Sequence, residues 1–448
     1  MQGLLKYQRE FLYLPRYNEN GTGAVRTLVK SRRIGGSFAA GFEAVLQATG
    51  HQLTPEGVIK TQPSDVFVIS ASHAQSIEFI STAGNIAAAL AKTDPAFAAN
   101  VKAKSIDLKA TNTRIQSLPC KASSLRGYTG AVILDEAAFF QNFGDVFQSS
   151  LPITKPNIRN KNGYSLTMIT TPWLAGSECH DAFTNPDRGF HRLEVDIYKA
   201  VADGFPINPE DIKREIGSEA KFQTEYECKW IGGSGSFFAA DALAKAMVSP
   251  DDVPAHVLAL PRTYGLDVGR SADLTALCET VVDDEGVVWV LSIKTISNMA
   301  LDLQTEVIRN EILGKRLERI RIDAGGIGVT IADILERYFD SKLERFFLNA
   351  LTQQDFAVSF KEKLTDQKIR IVMSDADAVR NLITEICMLS VEPTANGGIR
   401  LVIPHVNGTH CDSAVSLLLA IGGRDTSQDL GAYCGEVFDK DFELRSLW

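Results

Sequence analysis

The chain has 448 residues, 45% of them hydrophobic and 23% charged, with a formal net charge of −9 at pH 7. That length suggests two or three domains, and the composition is that of an ordinary globular protein, which excludes collagen-like, coiled-coil and wholly disordered chains. The longest apolar stretches, such as Ala414 to Ile421, fall well short of the roughly 18 residues that a membrane-spanning helix needs.

The first half alternates apolar strands with helical patterns. Val25 to Val29 reads as a strand, followed by a glycine-containing turn and an apolar-rich helix from Ser37 to about Ala48. Val66 to Ile69 is a second strand, with a helix through Ile77 to Ala91 after it, and Ala131 to Leu134 and Leu166 to Ile169 are a third and a fourth. Continuous apolar strands separated by helices predict a parallel sheet covered on both faces.

The turn after the first strand reads Lys30-Ser31-Arg32-Arg33-Ile34-Gly35-Gly36-Ser37. A strand-to-helix turn is where backbone N–H groups and a helix N-terminus receive phosphates. The usual pattern ends Gly-Lys-Ser/Thr, but here Gly36 occupies the lysine position. Lys30 stands at the front of the loop instead, Ser37 keeps the hydroxyl, and Arg32 and Arg33 are planar cations suited to stabilising the charge on a transferring phosphoryl group. The loop alone would read equally well as a strand–helix turn with no ligand. The third strand raises the odds, because it ends in Asp135-Glu136. Asp135 at the sheet edge is expected to hold Mg²⁺, and Glu136 to polarise the attacking water. Thr170 and Thr171 follow the fourth strand, before Pro172, as candidate γ-phosphate sensors. Gln8, after Tyr7, is a candidate for the adenine edge.

The pattern breaks at Gly232-Gly233-Ser234-Gly235-Ser236, a flexible-linker composition. The charge changes there too: residues 1–233 carry 25 Lys+Arg against 23 Asp+Glu, whereas 234–448 carry 21 against 32. We expect a first domain over 1–231, a linker over 232–255, a second domain over 256–430 and a tail over 431–448, where Phe438, Phe442 and Trp448 are candidate docking residues.

In the second half Thr263 to Val268, Leu274 to Val282 and Val287 to Lys294 read as strands, the last two joined by the hairpin turn Asp283-Asp284-Glu285-Gly286. A strand at Arg319 to Ile322, a helix at Ile327 to Tyr338, a last strand at Ile399 to Ile403 and a helix at Asp412 to Ile421 complete a mixed-sheet pattern. Asp267 and Asp323 end strands beside glycine-containing turns, and Asp412 opens the last helix. Three acids so placed are how a carboxylate cluster for two divalent metals is assembled, with hard oxygen ligands suited to Mg²⁺ or Mn²⁺. Asp273, Asp333, Asp375 and Asp377 compete for the role, as do His405 and His410 more weakly.

Seven scattered cysteines with no CxxC pair argue against a zinc ribbon and for reduced thiols in a cytosolic protein. The first residues, MQGLLKYQRE, lack the layout of a secretory signal.

Taken together, these residues resemble the large terminase subunit of tailed bacteriophages, with a layout closest to those of Mu-like phages. Lys30 to Ser37 resembles the family's variant phosphate loop, Ile133 to Ala137 its second nucleotide motif, Ile169 to Pro172 its coupling motif and Tyr7-Gln8 its adenine motif. Gly265-Leu266-Asp267, Ile322-Asp323 and Cys411-Asp412-Ser413-Ala414 resemble its nuclease motifs, although Cys411 stands where many relatives carry another acid.

The resemblance implies an α/β chain with an N-terminal P-loop NTPase-type domain and a C-terminal RNase H-like nuclease domain. ATP and Mg²⁺ would bind the first, with Gln8, Lys30, Ser31, Arg33, Gly35, Gly36, Ser37, Asp135 and Thr170 around the nucleotide. Glu136, Arg32 and Arg33 would act in hydrolysis. Mg²⁺ or Mn²⁺ would sit on Asp267, Asp323 and Asp412, which carry the cleavage. It also implies double-stranded DNA, a portal protein and a small terminase subunit as partners, a ring on the portal, no membrane, the host cytoplasm as location, and motion of the two domains about the linker. A helicase-like ATPase without nuclease activity and a non-catalytic assembly protein are the alternatives. The stretch Lys102, Lys104, Lys109, Arg114, Lys121 and Arg126 is either a DNA track or a solvated surface.

Overall fold

The structure, a computed structural model, describes residues 3–423 except 159, 217–218, 233–236, 270–273, 298, 394–398 and 405–410. Residues 233–236 of the expected linker, Asp273, His405, His410 and the tail 431–448 lie outside the described residues. The chain divides into two compact units, Met1–Gly233 and Ser234–Trp448.

Among the described residues the first unit holds ten strands: β1 (Val25–Lys30), β2 (His51–Thr54), β3 (Gly57–Lys60), β4 (Val66–Ser70), β5 (Ala99–Val101), β6 (Ser105–Leu108), β7 (Thr113–Leu118), β8 (Ala131–Asp135), β9 (Leu166–Thr170) and β10 (His191–Val195). Eight of them form one sheet in the order β10-β1-β9-β8-β4-β7-β6-β5, while β2 and β3 pair as a separate hairpin. The strands from β10 to β7 run parallel, and β6 and β5 are added antiparallel at the edge.

Every residue of β4, β8 and β9 is buried. Successive side chains point to opposite faces, so one strand supplies two cores. Val66, Val68, Ala131, Ile133 and Ile169 pack against the helices Gly36–Ala48 and His73–Ala91. Phe67, Ile69, Val132, Leu134 and Met168 pack on the other face against Phe143, Phe147 and Phe183. The order places β9 between β1 and β8, so the loop after β1 and the acids ending β8 face each other across the end of β9.

The second unit holds β11 (Met247–Val248), β12 (Arg262–Asp267), β13 (Thr275–Val282), β14 (Val288–Ile296), β15 (Leu317–Asp323), β16 (Leu343–Phe346), β17 (Ile369–Val372), β18 (Ser390–Pro393) and β19 (Ile399–Val402). Its main sheet has the order β11-β17-β14-β13-β12-β15-β16. β12, β13 and β14 are antiparallel, whereas β15 and β16 run parallel to β12. This mixed order is RNase H-like, and it is not the largely parallel sheet of a second motor lobe. The expected hairpin is closed by Asp283, whose Oδ2 accepts from Trp289 Nε1 at 2.8 Å.

Two features differ from the sequence reading. The described part of the stretch expected as linker carries the helix Ala240–Ala246 and β11, which pairs with β17, and Phe238 is buried against Phe360. The expected last strand, β19, pairs with β18 in a separate ribbon rather than joining the main sheet. Both stretches are short and locally ambiguous, and their partners are distant in sequence. Among the described residues no helix is long and apolar enough to cross a membrane.

Candidate active sites

In the first unit the loop after β1 is shaped by its glycines and one strained residue. Arg33 and Gly35 both adopt positive φ, 59° and 78°. Gly36 is required for a different reason: a Cβ there would lie 2.2 Å from Lys30 Cδ. The Lys30 stem therefore passes over the position where the usual loop lysine would begin, and the missing methyl clears its path.

The buried Lys30 Nζ donates to Glu136 Oε1 at 2.7 Å and to Thr171 Oγ1 at 3.1 Å. Glu136 itself is left-handed, with φ 57° and ψ 47°, which turns its carboxylate back over the sheet edge as β8 ends. Its Oε2 accepts from Thr171 N at 3.1 Å. Beside this trio, Ser37 Oγ donates to Asp135 Oδ1 at 3.2 Å. Burial and the adjacent Glu136 push the Asp135 carboxyl up to about 7, against the opposing pull of Lys30. A buried carboxylate short of positive charge, joined to a hydroxyl, is a hard-oxygen donor pair that fits Mg²⁺.

Several expected residues are placed differently from their expected roles. Thr170 is turned inward: its hydroxyl accepts from Ala138 N at 3.0 Å and donates to Thr171 O at 2.8 Å. Thr171, not Thr170, meets Lys30. Arg32 pairs with Glu225 at 2.7 Å, and its backbone N–H also donates to Glu225 O. Ser31 is buried, its N–H bound to Val195 O at 2.8 Å, and Arg33 is exposed. Gln8 Oε1 accepts from Leu5 N at 3.0 Å at the start of the helix Lys6–Tyr13, while its Nε2 reaches Gly35 O at 3.5 Å. Tyr7 OH donates to Ile34 O, so the first helix holds the loop from behind.

Sequence reading missed Glu225 and gave Tyr7 no role of its own, since nothing local marks either as a loop partner. It also missed the buried cluster under the site. Glu43, on the helix that follows the loop, pairs with Arg16 at 2.8 Å and with Arg26 of β1, whose guanidinium also donates to Thr167 Oγ1 at 2.7 Å. The two guanidinium groups hold the Glu43 carboxyl below its ordinary value against the opposing effect of burial.

In the second unit strand alternation does the positioning. Tyr264 and Leu266 face one core with Ile320 and Ile322, so Gly265 and Asp267 face the other side. That side is covered by the helix Asp412–Ile421. A Cβ on Gly265 would lie 1.9 Å from Ser416 O, so helix and strand touch backbone to backbone. Arg321, next to Ile322 on β15, donates to Leu419 O and Ala420 O at 3.3 and 3.1 Å, tying down the far end of the helix. Cys411, at φ 54° and ψ 36°, turns the chain into the helix, whose first residue is Asp412.

Asp267 therefore lies near Asp412 and Asp323. Burial, then Asp412, Asp323 and Glu385, raise its carboxyl well above the ordinary value. Glu385, unforeseen from sequence, sits buried on the helix Ala376–Met388 and accepts from Ala414 N at 3.0 Å, at the start of the Asp412 helix. Among the described residues no three His, Cys, Asp or Glu side chains converge tightly enough to grip an ion as they stand. The donor set still fits a hard divalent cation: Asp323, at the same sheet edge, and Asp412 and Glu385, from two helices, all repel the Asp267 carboxylate, and such a cation relieves that repulsion.

The competing acids have other partners. Asp333 pairs with Arg345 at 2.7 Å, Asp377 with Arg380 at 2.7 Å, and Asp375 accepts from Asp377 N and Ala378 N as a helix cap.

A phosphate loop and an acid-ended strand on a parallel sheet, followed by an RNase H-like sheet edged with acids, define a P-loop NTPase joined to a nuclease-type domain. Residues 27–245, just under half of the chain, match the family model described as "Terminase large subunit, T4likevirus-type, N-terminal". No curated protein matches the chain. Among solved structures it is similar to the large terminase of a thermophilic bacteriophage, at 13% identity and a TM-score of 0.42, covering 93% of this chain and 98% of that one. It is similar to the HK97 bacteriophage large terminase at 14% identity and a TM-score of 0.38, covering 94% and 95%. The large terminase nuclease from thermophilic phage G20c with bound magnesium is 15% identical with a TM-score of 0.29, covering 36% of this chain and 80% of that one.

Proposed function

We propose that the chain hydrolyses ATP in its first unit to drive double-stranded DNA into a procapsid, and cuts that DNA in its second. The observation that carries the ATPase half is the pair of links across one sheet edge, Lys30 to Glu136 and Ser37 to Asp135. Phosphate entering the loop would draw Lys30 away from Glu136, leaving that carboxylate free to orient and polarise water. Thr171 donates its N–H to Glu136 and accepts from Lys30, so it couples the end of β9 to both partners. Ser37 and Asp135 would hold Mg²⁺ at the first site, and Asp267, Asp323 and Asp412 would hold Mg²⁺ or Mn²⁺ at the second. Such ions, when bound, supply charge neutralisation at the phosphates and an activated water for phosphodiester cleavage.

The reading includes a portal protein and a small terminase subunit as partners, a ring on the portal as the working assembly, and the host cytoplasm as the place of work. The family-model match over residues 27–245 supports these. The test is steady-state ATP turnover and nucleotide binding by Glu136→Gln. Turnover should vanish while binding is kept, and retained turnover would remove Glu136 from the mechanism. Plasmid cleavage with Mn²⁺ that survives Asp267→Ala would remove the nuclease assignment.

A further inference from the structure

Beside the nucleotide site, at the same end of the first sheet, a pocket of about 260 Å³ opens between β4, β7 and the helix His73–Ala91. It is lined by Ser70, Ser72, His73, Ser76, Lys104 and Cys120, among others, and no carboxylate lines it. Ser70 is the last residue of β4 and lies in register with Asp135 on β8, one strand away from the proposed metal acid.

Three observations mark the pocket as built for an anion. The 19-residue helix His73–Ala91 points its N-terminus into it. The capping box uses the N–H groups of Ser72 and Gln75, but those of His73 and Ala74 make no hydrogen bond among the described residues. Free N–H groups and the helix dipole at such an end attract negative charge. Independently, Ser70 is only 4% exposed and its hydroxyl has no hydrogen-bond partner among the described residues. A buried unpaired hydroxyl is costly, and a ligand oxygen would satisfy it. Finally, the exposed Lys104 forms no ion pair among the described residues, whereas its neighbours Lys102 and Arg114 are both engaged by Asp107, at 2.7 and 3.6 Å. Burial pushes the Cys120 thiol up to about 12, so it contributes no negative charge.

Resting on the DNA-packaging reading, we propose that this pocket is a subsite for one phosphodiester group of duplex DNA, held by Lys104, the Ser70 hydroxyl and the free N–H groups of His73 and Ala74. A polyanion is favoured over a lone phosphate because the positive surface continues beyond the pocket. Lys121 and Arg126 are both exposed and form no ion pair among the described residues. The chain as a whole is acidic, so DNA contacts must come from local cations such as these.

The experiment measures binding of a short random-sequence duplex to the full chain across a KCl series. Lys104→Ala should weaken binding several-fold and lower the salt slope by about one, the signature of one lost phosphate contact. Ser70→Ala should also weaken binding, with thermal stability unchanged or raised because an unpartnered buried hydroxyl is removed. Lys102→Ala, whose ammonium is already held by Asp107, should leave the slope as it is; an equal loss would mean diffuse charge and overturn the subsite. Thermal shift with inorganic phosphate supplies the other arm. If phosphate protects the wild type but not Lys104→Ala, while DNA binding is the same in both, the pocket takes free phosphate and the DNA assignment falls. DNA binding by the wild type that neither variant weakens overturns the subsite and leaves the packaging reading standing. No DNA binding by the wild type overturns both, and ATP turnover then tests the motor separately.

Discussion

The Lys30 ammonium sits 2.7 Å from the Glu136 carboxylate, although 106 positions separate them in the chain. On the proposed reading, the cation that would bind phosphate and the acid that would polarise water neutralise each other here, and entering phosphate would separate them. Lys30→Ala should reduce ATP turnover by about 100-fold or more, in line with losing one charged transition-state contact. It should also cost about 1–3 kcal/mol of stability, since a half-buried Glu136 loses its partner. Lys30→Arg should not rescue turnover, because the guanidinium is a planar fork and the path over Gly36 is cut for a slender stem. Steady-state turnover and chemical denaturation of the two variants check this.

Tyr7 links the first helix to the phosphate loop through Ile34 O, and burial with nearby Asp203 pushes its phenol up to about 12 from 10.0. Because the folded form keeps its proton longer than the unfolded form, the Tyr7 contribution is fully present below pH 10. It is lost as pH rises from about 10 to 12, and the difference is of order 2–3 kcal/mol. Tyr7→Phe should flatten the loss of stability in that alkaline window. At neutral pH it should cost about 1 kcal/mol for the missing hydrogen bond and raise KM for ATP. Denaturation midpoints between pH 9 and about 12 for the two proteins decide it, and parallel curves would rule the linkage out.

Gly265 lets β12 touch the Asp412 helix. In Gly265→Ala the new methyl would meet Ser416 O at 1.9 Å and Ala420 N at 2.5 Å, both backbone atoms that cannot swing aside. The substitution should destabilise the chain by about 1–3 kcal/mol and abolish cleavage by displacing Asp412, with ATP turnover kept. Loss of both activities together would mean global unfolding instead.

Glu385 both fixes the start of that helix and faces Asp267. Glu385→Gln keeps an oxygen for Ala414 N but removes a charge, so melting should be little changed while the Mn²⁺ needed for half-maximal cleavage rises several-fold. Glu385→Ala should add a stability loss of about 1.5–3 kcal/mol, that of a charged buried hydrogen bond. A Gln variant with unchanged metal dependence would limit Glu385 to holding the helix.

What the sequence determined by itself is what depends on neighbours in the chain. Apolar runs at Val66 to Ile69 and Ala131 to Leu134 read as strands buried on both faces, and acids closing such strands emerge at a sheet edge. Hence Asp135, Glu136, Asp267 and Asp323 could be named as candidates. Only the tertiary structure decided which groups those acids meet. It placed β9 between β1 and β8, which put Thr171 rather than Thr170 on Lys30. It turned Arg32 to Glu225 and brought Glu385 beside Asp267. It also joined β11 to a strand more than a hundred residues further on. Side-chain alternation fixes a face from the local sequence, but strand order and helix docking are set by long-range packing, which leaves no mark at the residues it brings together.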